Sequence, residues 1–388
     1  MSESRTIYFN NAATTWPKPE EVYAATDRCF RELTSPMRSA LGDRTLQACR
    51  EEVAGFLGIV DPSRLVFTPG CTYSLNMAIL GQDFARGGRL LMSSVEHHAT
   101  SRPMRKLARE GGHELLVAPY RPEEPIDLGY VEDALKGGDV RLVACTMASN
   151  VTGDILPARE VVRLARAHGV PCLVDAAQSA GVLEVNVGEL GADLVSFAGH
   201  KGLMGPPGIG MLYAAPHVRL RSLAEGGTGQ DSGKHELSGK FPGSFEVGTH
   251  NLPAVVGLTA GVRWLERTTV AAVREHEQGL TDRLVRGLDA IEGVRVHGTR
   301  RPGGRTSVAS LSFERHDPKA LAGRLANEHG VVTRAGYHCA PLAHETIGTL
   351  PGPGTLRLSM GYFNTAGEVD EVLERLASLV GSGVGEAR

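Results

Sequence analysis

Lys201 follows a histidine in FAGHKGLMGPPGIGMLY (197–213), where one apolar run gives way to glycine and proline and then to another apolar run. An amine in that setting has two readings. It is a surface lysine on a loop, or it is held beside an electrophile, as lysines that condense with carbonyl groups are. Other reactive residue types recur in similar settings. Asp175 ends VPCLVD (170–175), Glu96-His97-His98 follow RLLMSS (89–94), and Ser149-Asn150 follow VRLVACT (140–146). Six cysteines stand at 29, 49, 71, 145, 172 and 339 with no CxxC pair, so neither a disulfide framework nor a zinc site is expected. Cys145 and Cys172 lie inside apolar runs and read as small buried hydrophobes. Cys339, in AGYHCAPLAHET, stands among polar and turn-forming residues and is expected to be more exposed. Both a chemical role and an unremarkable surface thiol are open for it.

The elements that must position these groups follow from periodicity. Short apolar runs at 64–70, 89–94, 140–146, 170–175 and 193–199 read as buried strands, and TLQACREEVAGFLG (45–58) and PAREVVRLARAHG (157–169) read as helices. Alternating strands and helices predict an α/β fold whose mostly parallel sheet is covered on both faces. The polar residues named above fall at or just past the strands' carboxyl ends, where ligand sites of such sheets lie. From about residue 255 a long amphipathic helical region (255–292) leads to shorter strands and helices, a smaller α+β unit. The expected division is a large domain at 15–255, which carries these strand-end residues, and a small C-terminal domain at 256–388 joined by residues 1–14. Segment 225–248, rich in glycine, serine and charge, is either a surface loop or an active-site flap or subunit contact.

Bulk composition narrows the function classes. The 388 residues carry 41% hydrophobic and 22% charged side chains and a net charge of −3, with the two signs interspersed, so no nucleic-acid surface is expected. No apolar run is long enough for a bilayer, and MSESRTIYFNNAATTW has neither the basic start nor the apolar core of a signal peptide, so no membrane partner and a cytoplasmic location are expected.

The demands of a pyridoxal-phosphate site can be set against these residues. Its ring nitrogen stays protonated only beside a buried carboxylate, which Asp175 could be, although an aspartate capping a helix would look the same. A flat side chain must cover the ring, and His97 is available. Gln178 could reach the ring oxygen. The phosphate needs backbone N–H groups at a helix start, and TPGCTYSLNMAI (68–79) offers Gly70, Cys71 and Thr72.

In order, NNAATTWPKP, TPGCTYSLN, EHHAT, SNVTG, VDAAQSAG, GHKG, EVGTHN, GYHCAPLAHETIGT and LRLSMGYFNT resemble the cysteine desulfurase (NifS-like) branch of the class V pyridoxal-phosphate-dependent aminotransferases, over about residues 7–380. The resemblance implies fold type I, the aspartate aminotransferase-like architecture, built as a homodimer. It makes Lys201 the Schiff-base lysine, with His200 beside it near the phosphate. Asp175 pairs with the ring nitrogen, Gln178 with the ring hydroxyl, and His97 stacks on the ring. Gly70, Cys71 and Thr72 hold the phosphate, and Thr249 reaches the partner subunit's phosphate. Asn150 and Arg357 orient a substrate carboxylate, with Arg334 also near the substrate. Cys339 takes sulfur from L-cysteine as a persulfide, leaving L-alanine, and passes it to a sulfur-acceptor protein. His338 and Arg334 are the neighbours that could favour its thiolate. This chain departs from the family pattern at Ala198, where relatives carry serine or threonine to bond the phosphate, at Cys71, where alanine or threonine is usual, and at TSPMRSALG (34–42), which replaces a more glycine-rich active-site wall. A selenocysteine lyase, another class V C–S lyase or aminotransferase, and a non-catalytic binding protein remain as alternatives.

Overall fold

The computed structural model describes residues 6–32, 40–229 and 233–381. Residues 34–39 of the divergent stretch TSPMRSALG therefore lie outside the described residues. After a two-residue strand, β1 (Ile7–Tyr8), the chain builds a seven-stranded sheet from β2 (Leu65–Thr68), β3 (Arg89–Ser93), β4 (Glu114–Ala118), β5 (Val140–Thr146), β6 (Cys172–Asp175), β7 (Leu194–Ala198) and β8 (Gly210–Ala214). Its spatial order is β2-β8-β7-β6-β5-β3-β4, and neighbours are parallel except the two pairs that involve β8. The C-terminal part adds β9 (Val294–Val296), β10 (Val308–Phe313), β11 (Val331–Val332), β12 (Arg334–Gly336) and β13 (Thr355–Ser359). Four of these form an antiparallel sheet in the order β12-β13-β10-β9, while β11 pairs in parallel with β1.

The inner strands of the large sheet are mostly apolar because both of its faces are covered. Val143, Cys145, Val174, Val195 and Phe197 point into one core, and their neighbours Leu142, Ala144, Leu173 and Leu194 into another. Side chains alternate between faces with period two, so a strand buried on both sides reads as an unbroken apolar run. A third core fills the C-terminal part and takes in Ile7 and Phe9 from the start of the chain. The strands expected at 64–70, 89–94, 140–146, 170–175 and 193–199 are β2, β3, β5, β6 and β7. Among the described residues no helix is long and apolar enough to cross a membrane.

Three features differ from the sequence reading or refine it. The helical region 255–292 is two helices, Leu252–Thr268 and Val270–Asp289, broken at Thr269 with φ 69°. Its hydroxyl accepts from the Ala272 N–H at 3.2 Å and so caps the second helix, which offsets the unfavourable backbone angle. Strand β4 was not anticipated. It is the sheet's edge, with Glu114 exposed and Leu115–Val117 half-buried, so its apolar signal is diluted. The described part of 225–248 is mostly irregular and exposed but is anchored at its C-terminal end. There Glu246 forms a buried bidentate pair with Arg50 (2.7 and 2.8 Å) and accepts from the Phe67 N–H at 2.6 Å.

Candidate active site

Strands β2, β3, β5, β6 and β7 all run the same way, so the turns that follow them gather at one edge of the sheet. These turns carry Gly70–Thr72, His97, Asn150, Asp175–Gln178 and His200–Lys201, which line a single cleft of about 660 Å³. The small sheet closes it from the other side with Arg334 on β12 and Arg357 on β13. Eleven of the thirteen residues singled out from the sequence line this cleft. Cys339 touches it through Arg334, whose guanidinium lies 3.3 Å from the sulfur. Thr249 lies outside it, exposed beside Glu246 and Arg50 in a separate surface cleft of about 390 Å³.

Each side chain is fixed by a local cause. The His97 ring caps the helix His98–Gly111 by accepting the Ala99 N–H at 3.0 Å on Nδ1. Burial, and then the Lys201 charge, push its pKa down to about 3, so it is a neutral, flat ring. Asp175 accepts the Ala177 N–H at 2.9 Å, and burial raises its pKa while the Lys201 charge opposes that rise. Burial lowers the Lys201 pKa against the opposing pull of Cys71 and Asp175, and its Nζ makes no hydrogen bond among the described residues. The Gln178 amide is held by the Ala12 carbonyl at 2.9 Å. Burial takes His200 down to a pKa of about 4.

The turn at Gly70 opens the helix Cys71–Leu80, whose first N–H groups face the cleft without intrahelical partners. Gly210 makes the turn possible. A Cβ there would sit 2.4 Å from the Gly70 carbonyl carbon and 2.5 Å from the Cys71 nitrogen. The Cys71 thiol points to the Ser196 hydroxyl at 3.4 Å and the Asp175 carboxylate at 3.7 Å. It therefore belongs to the carboxylate end of the cleft. Ala198 lines the cleft two residues beyond Ser196 on the same face of β7, and the Ser196 hydroxyl is already engaged with Cys71.

The small sheet contributes a feature that only register reveals. Arg334 and Arg357 stand directly opposite each other on neighbouring antiparallel strands. Like charges so placed repel. Arg357 is 1% exposed, and burial with the Arg334 charge takes its pKa down to about 9. It donates to the Asn150 carbonyl (3.0 Å) and the Asn10 side-chain oxygen (3.2 Å), while its Nε has no partner and no carboxylate pairs with it among the described residues. Because it also lines the cleft, this buried cation without a counter-ion among the described residues is a candidate anion site. Asn150 in turn donates from Nδ2 to the His338 carbonyl at 2.7 Å. His338 and Cys339 both take positive φ (47° and 59°), which fixes the thiol in a strained turn. Cys339 is half-buried, whereas Cys145 and Cys172 are fully buried. Of its two suspected neighbours, only Arg334 offers charge. Burial holds His338 neutral, with its pKa well below the usual value, and its Nε2 is bonded to Thr355.

The N-terminal segment supplies a part that sequence reasoning missed. Thr14 Oγ1 (3.0 Å), Lys18 Nζ (2.7 Å) and the Thr15 N–H (3.3 Å) all donate to the His200 carbonyl, the peptide oxygen just before Lys201. Thr15 Oγ1 donates to the Lys201 carbonyl at 3.0 Å and itself accepts from Lys18. Burial lowers Lys18 to a pKa of about 7, and a neutral amine still has the two N–H bonds that this arrangement uses. The run TTWPK was visible, but nothing in it indicates that its polar groups converge on one distant carbonyl.

A buried carboxylate, a helix start, a flat neutral ring, an amine with no hydrogen bond among the described residues and a buried guanidinium line one cleft, a donor set that fits pyridoxal phosphate and an amino acid. The profile described as aminotransferase class-V matches residues 7–372. A probable cysteine desulfurase of Methanothermobacter thermautotrophicus is 33% identical over 387 residues, covering 97% of this chain and 95% of that protein. The probable cysteine desulfurase 1 of Mycobacterium leprae is also 33% identical over 387 residues and covers 96% of this chain, but it is longer, and the match spans 62% of it. Among solved structures, the apo cysteine desulfurase of Thermococcus onnurineus superposes with a TM-score of 0.90 at 32% identity, covering 97% of this chain and 95% of that one. The chain belongs to the class V aminotransferases, a family that uses pyridoxal phosphate, and within it is cysteine desulfurase-like.

Proposed function

We propose that the protein is a pyridoxal-phosphate-dependent cysteine desulfurase, which converts L-cysteine to L-alanine and carries the sulfur on Cys339 as a persulfide. The observation that carries this reading is the contact of the Cys339 sulfur with Arg334, a residue that also lines the cleft of Lys201. When bound, the cofactor supplies an electron sink next to the substrate's α-carbon. The residues of the chain do the rest. Lys201 holds the cofactor through its Nζ, and Asp175 holds the proton of the ring nitrogen. His97 covers the ring, Gln178 meets its hydroxyl, and the N–H groups of Cys71 and Thr72, with Gly70 and His200 nearby, receive the phosphate. Arg357 takes the substrate carboxylate in a two-pronged contact, supported by Asn150.

Once the substrate's amine has taken its place, the freed Lys201 amine, its pKa lowered by burial, is suited to accept the α-proton. The Cys339 thiolate, beside the Arg334 guanidinium, attacks the substrate sulfur. A sulfur–sulfur bond forms as the substrate's Cβ–S bond breaks, the electron pair stays with the three-carbon fragment, and protonation of that fragment gives alanine. The reading includes a homodimer in which the exposed Thr249 serves the partner's site, and a protein that accepts the sulfur.

The test is Cys339→Ala. The variant is expected to keep the visible absorbance of the bound cofactor and its change on adding cysteine, and to lose sulfide release. Undiminished sulfide production would overturn the role of Cys339. A panel of cysteine, selenocysteine, cystine and cysteine sulfinate, scored for alanine, identifies the preferred substrate.

A further inference from the structure

A second cleft, of about 700 Å³, lies between the turn after β4 and the segment from β9 to the loop that follows it. Its walls carry Arg121, Arg295, Arg300 and Arg301 against the single acid Glu123, an excess of positive charge on a chain whose net charge is −3. Arg300 is paired with Asp289 at 2.8 Å. Arg121, Arg295 and Arg301 are exposed and have no carboxylate partner among the described residues.

The two walls are tied together from beneath. Asp154 accepts the Tyr120 hydroxyl on one oxygen and the Thr299 N–H at 2.8 Å on the other. The buried Arg305 holds the carbonyls of His297 (3.0 Å) and Thr299 (2.7 Å), and two backbone bonds close the turn between Arg121 and Glu124 (3.0 and 3.1 Å). The guanidinium groups are thus presented by fixed backbone, which lowers the ordering cost of binding.

The cleft is also joined to the sulfur-bearing loop. Thr346 and Ile347, at the end of the helix Pro341–Thr346, form part of its wall, and that helix begins two residues after Cys339. The chain between Cys339 and Ile347 spans no more than about 18 Å, a distance that an extended segment of about six residues covers.

We propose that this cleft docks an acidic peptide segment of the protein that takes sulfur from Cys339. The identity of that partner rests on the desulfurase reading; the acidic character of the segment rests on the arginines alone. The transfer is balanced without an outside oxidant or reductant. The acceptor thiolate attacks the outer sulfur of the persulfide, a new S–S bond forms, and the bond to Cys339 Sγ breaks with its electron pair returning to Cys339 as thiolate.

The experiment uses the full chain loaded with pyridoxal phosphate and two labelled probes, an oligoglutamate ending in Gly-Gly-Cys and its oligoglutamine counterpart. Fluorescence anisotropy, with the cysteine replaced by serine, should show binding of the glutamate probe only, weakened by salt and about tenfold weaker in the triple variant R121Q/R295Q/R301Q. Mass spectrometry should show sulfur reaching the glutamate probe faster than the glutamine probe with the wild type and equally slowly with the variant. Alanine formation with a small thiol as acceptor should be the same for both proteins. Equal binding of the two probes, no effect of the triple variant, or arginine-dependent binding of pyrophosphate without peptide binding would overturn the proposal. Failure to form alanine at all with the wild type, while the glutamate probe still binds through the arginines, would instead refute the desulfurase reading and with it the named partner.

Discussion

Arg357 shows how a single side chain acquires a task from its surroundings. Its guanidinium is fully buried, faces a second arginine across the strand pair, and keeps one nitrogen unbonded. Unlike the similarly buried Arg305, which also bonds only carbonyls, Arg357 lines the cleft, and no carboxylate pairs with it among the described residues. In the proposed reaction the missing anion is the substrate's carboxylate, and the planar fork matters because it engages both oxygens. Arg357→Lys keeps the charge and loses the fork. The expected result is a KM for cysteine raised by about tenfold or more, with a smaller change in kcat. Equal KM values would show that Arg357 does not hold the carboxylate. At this scale much of the site was legible from residue type and from placement at strand ends, as for Lys201, Asp175 and His97. The Arg334–Arg357 opposition was not, because register between two strands some twenty residues apart is a property of the sheet. The Lys18 contact was hidden for a similar reason, since its acceptor is a backbone oxygen whose position depends on the whole fold.

At the scale of elements, a buried acid on one helix gives a prediction with a definite sign. Glu277 lies on the helix Val270–Asp289, 2% exposed, with Oε2 2.7 Å from the Ser307 hydroxyl. That hydroxyl is also 2.8 Å from the Met360 carbonyl. It has one hydrogen, and the carbonyl can only accept, so the complete arrangement has Glu277 protonated and donating to Ser307. Burial raises its pKa from the usual 4.5 to about 7 in agreement. The folded state therefore keeps a proton that the unfolded state releases between those values, and stability falls as pH rises from about 4.5 to 7, then levels off. The loss is on the order of 3 kcal/mol. Glu277→Gln preserves shape and can donate to Ser307 at every pH. Its melting temperature should exceed that of the wild type by more at pH 8 than at pH 5, and a pH-independent difference would remove the argument. The element itself was only partly legible. The periodicity of 255–292 indicated a helical region, but apolar spacing continues across Thr269, and a break made by one backbone angle and one capping bond leaves little mark on it.

At the scale of the whole molecule the question is whether one chain makes a complete site. Thr249 belongs to a motif that otherwise fits the family pattern, yet it lies outside its own chain's cleft. The segment before it is not loosely placed. The Arg50–Glu246 pair and the bond from Phe67 fasten it to β2, so Thr249 is held at the surface by a buried base. The broad architecture of strands, covered sheet and smaller C-terminal unit could be read from apolar runs, since these cores leave their period in the sequence. A contribution across a subunit boundary leaves no such period: composition offered a subunit contact only as one reading of 225–248, and the role of Thr249 entered through the family resemblance alone. Two crippled chains can test it. In the proposed dimer, Thr249→Asp would set a negative charge against the phosphate of the partner's cofactor, and Lys201→Ala would remove the amine of its own site. Each variant alone is expected to show little alanine formation. In a mixed dimer the chain carrying Thr249→Asp still has its own Lys201 and receives an intact Thr249 from the Lys201→Ala chain, so one site per dimer is whole. Activity should therefore appear when the two variants are unfolded and refolded together, and it should not appear when they are refolded apart and then mixed without subunit exchange. If Thr249 acted only within its own chain, or did not act at all, co-refolding would give no more than the sum of the parents, and the shared-site dimer would be refuted.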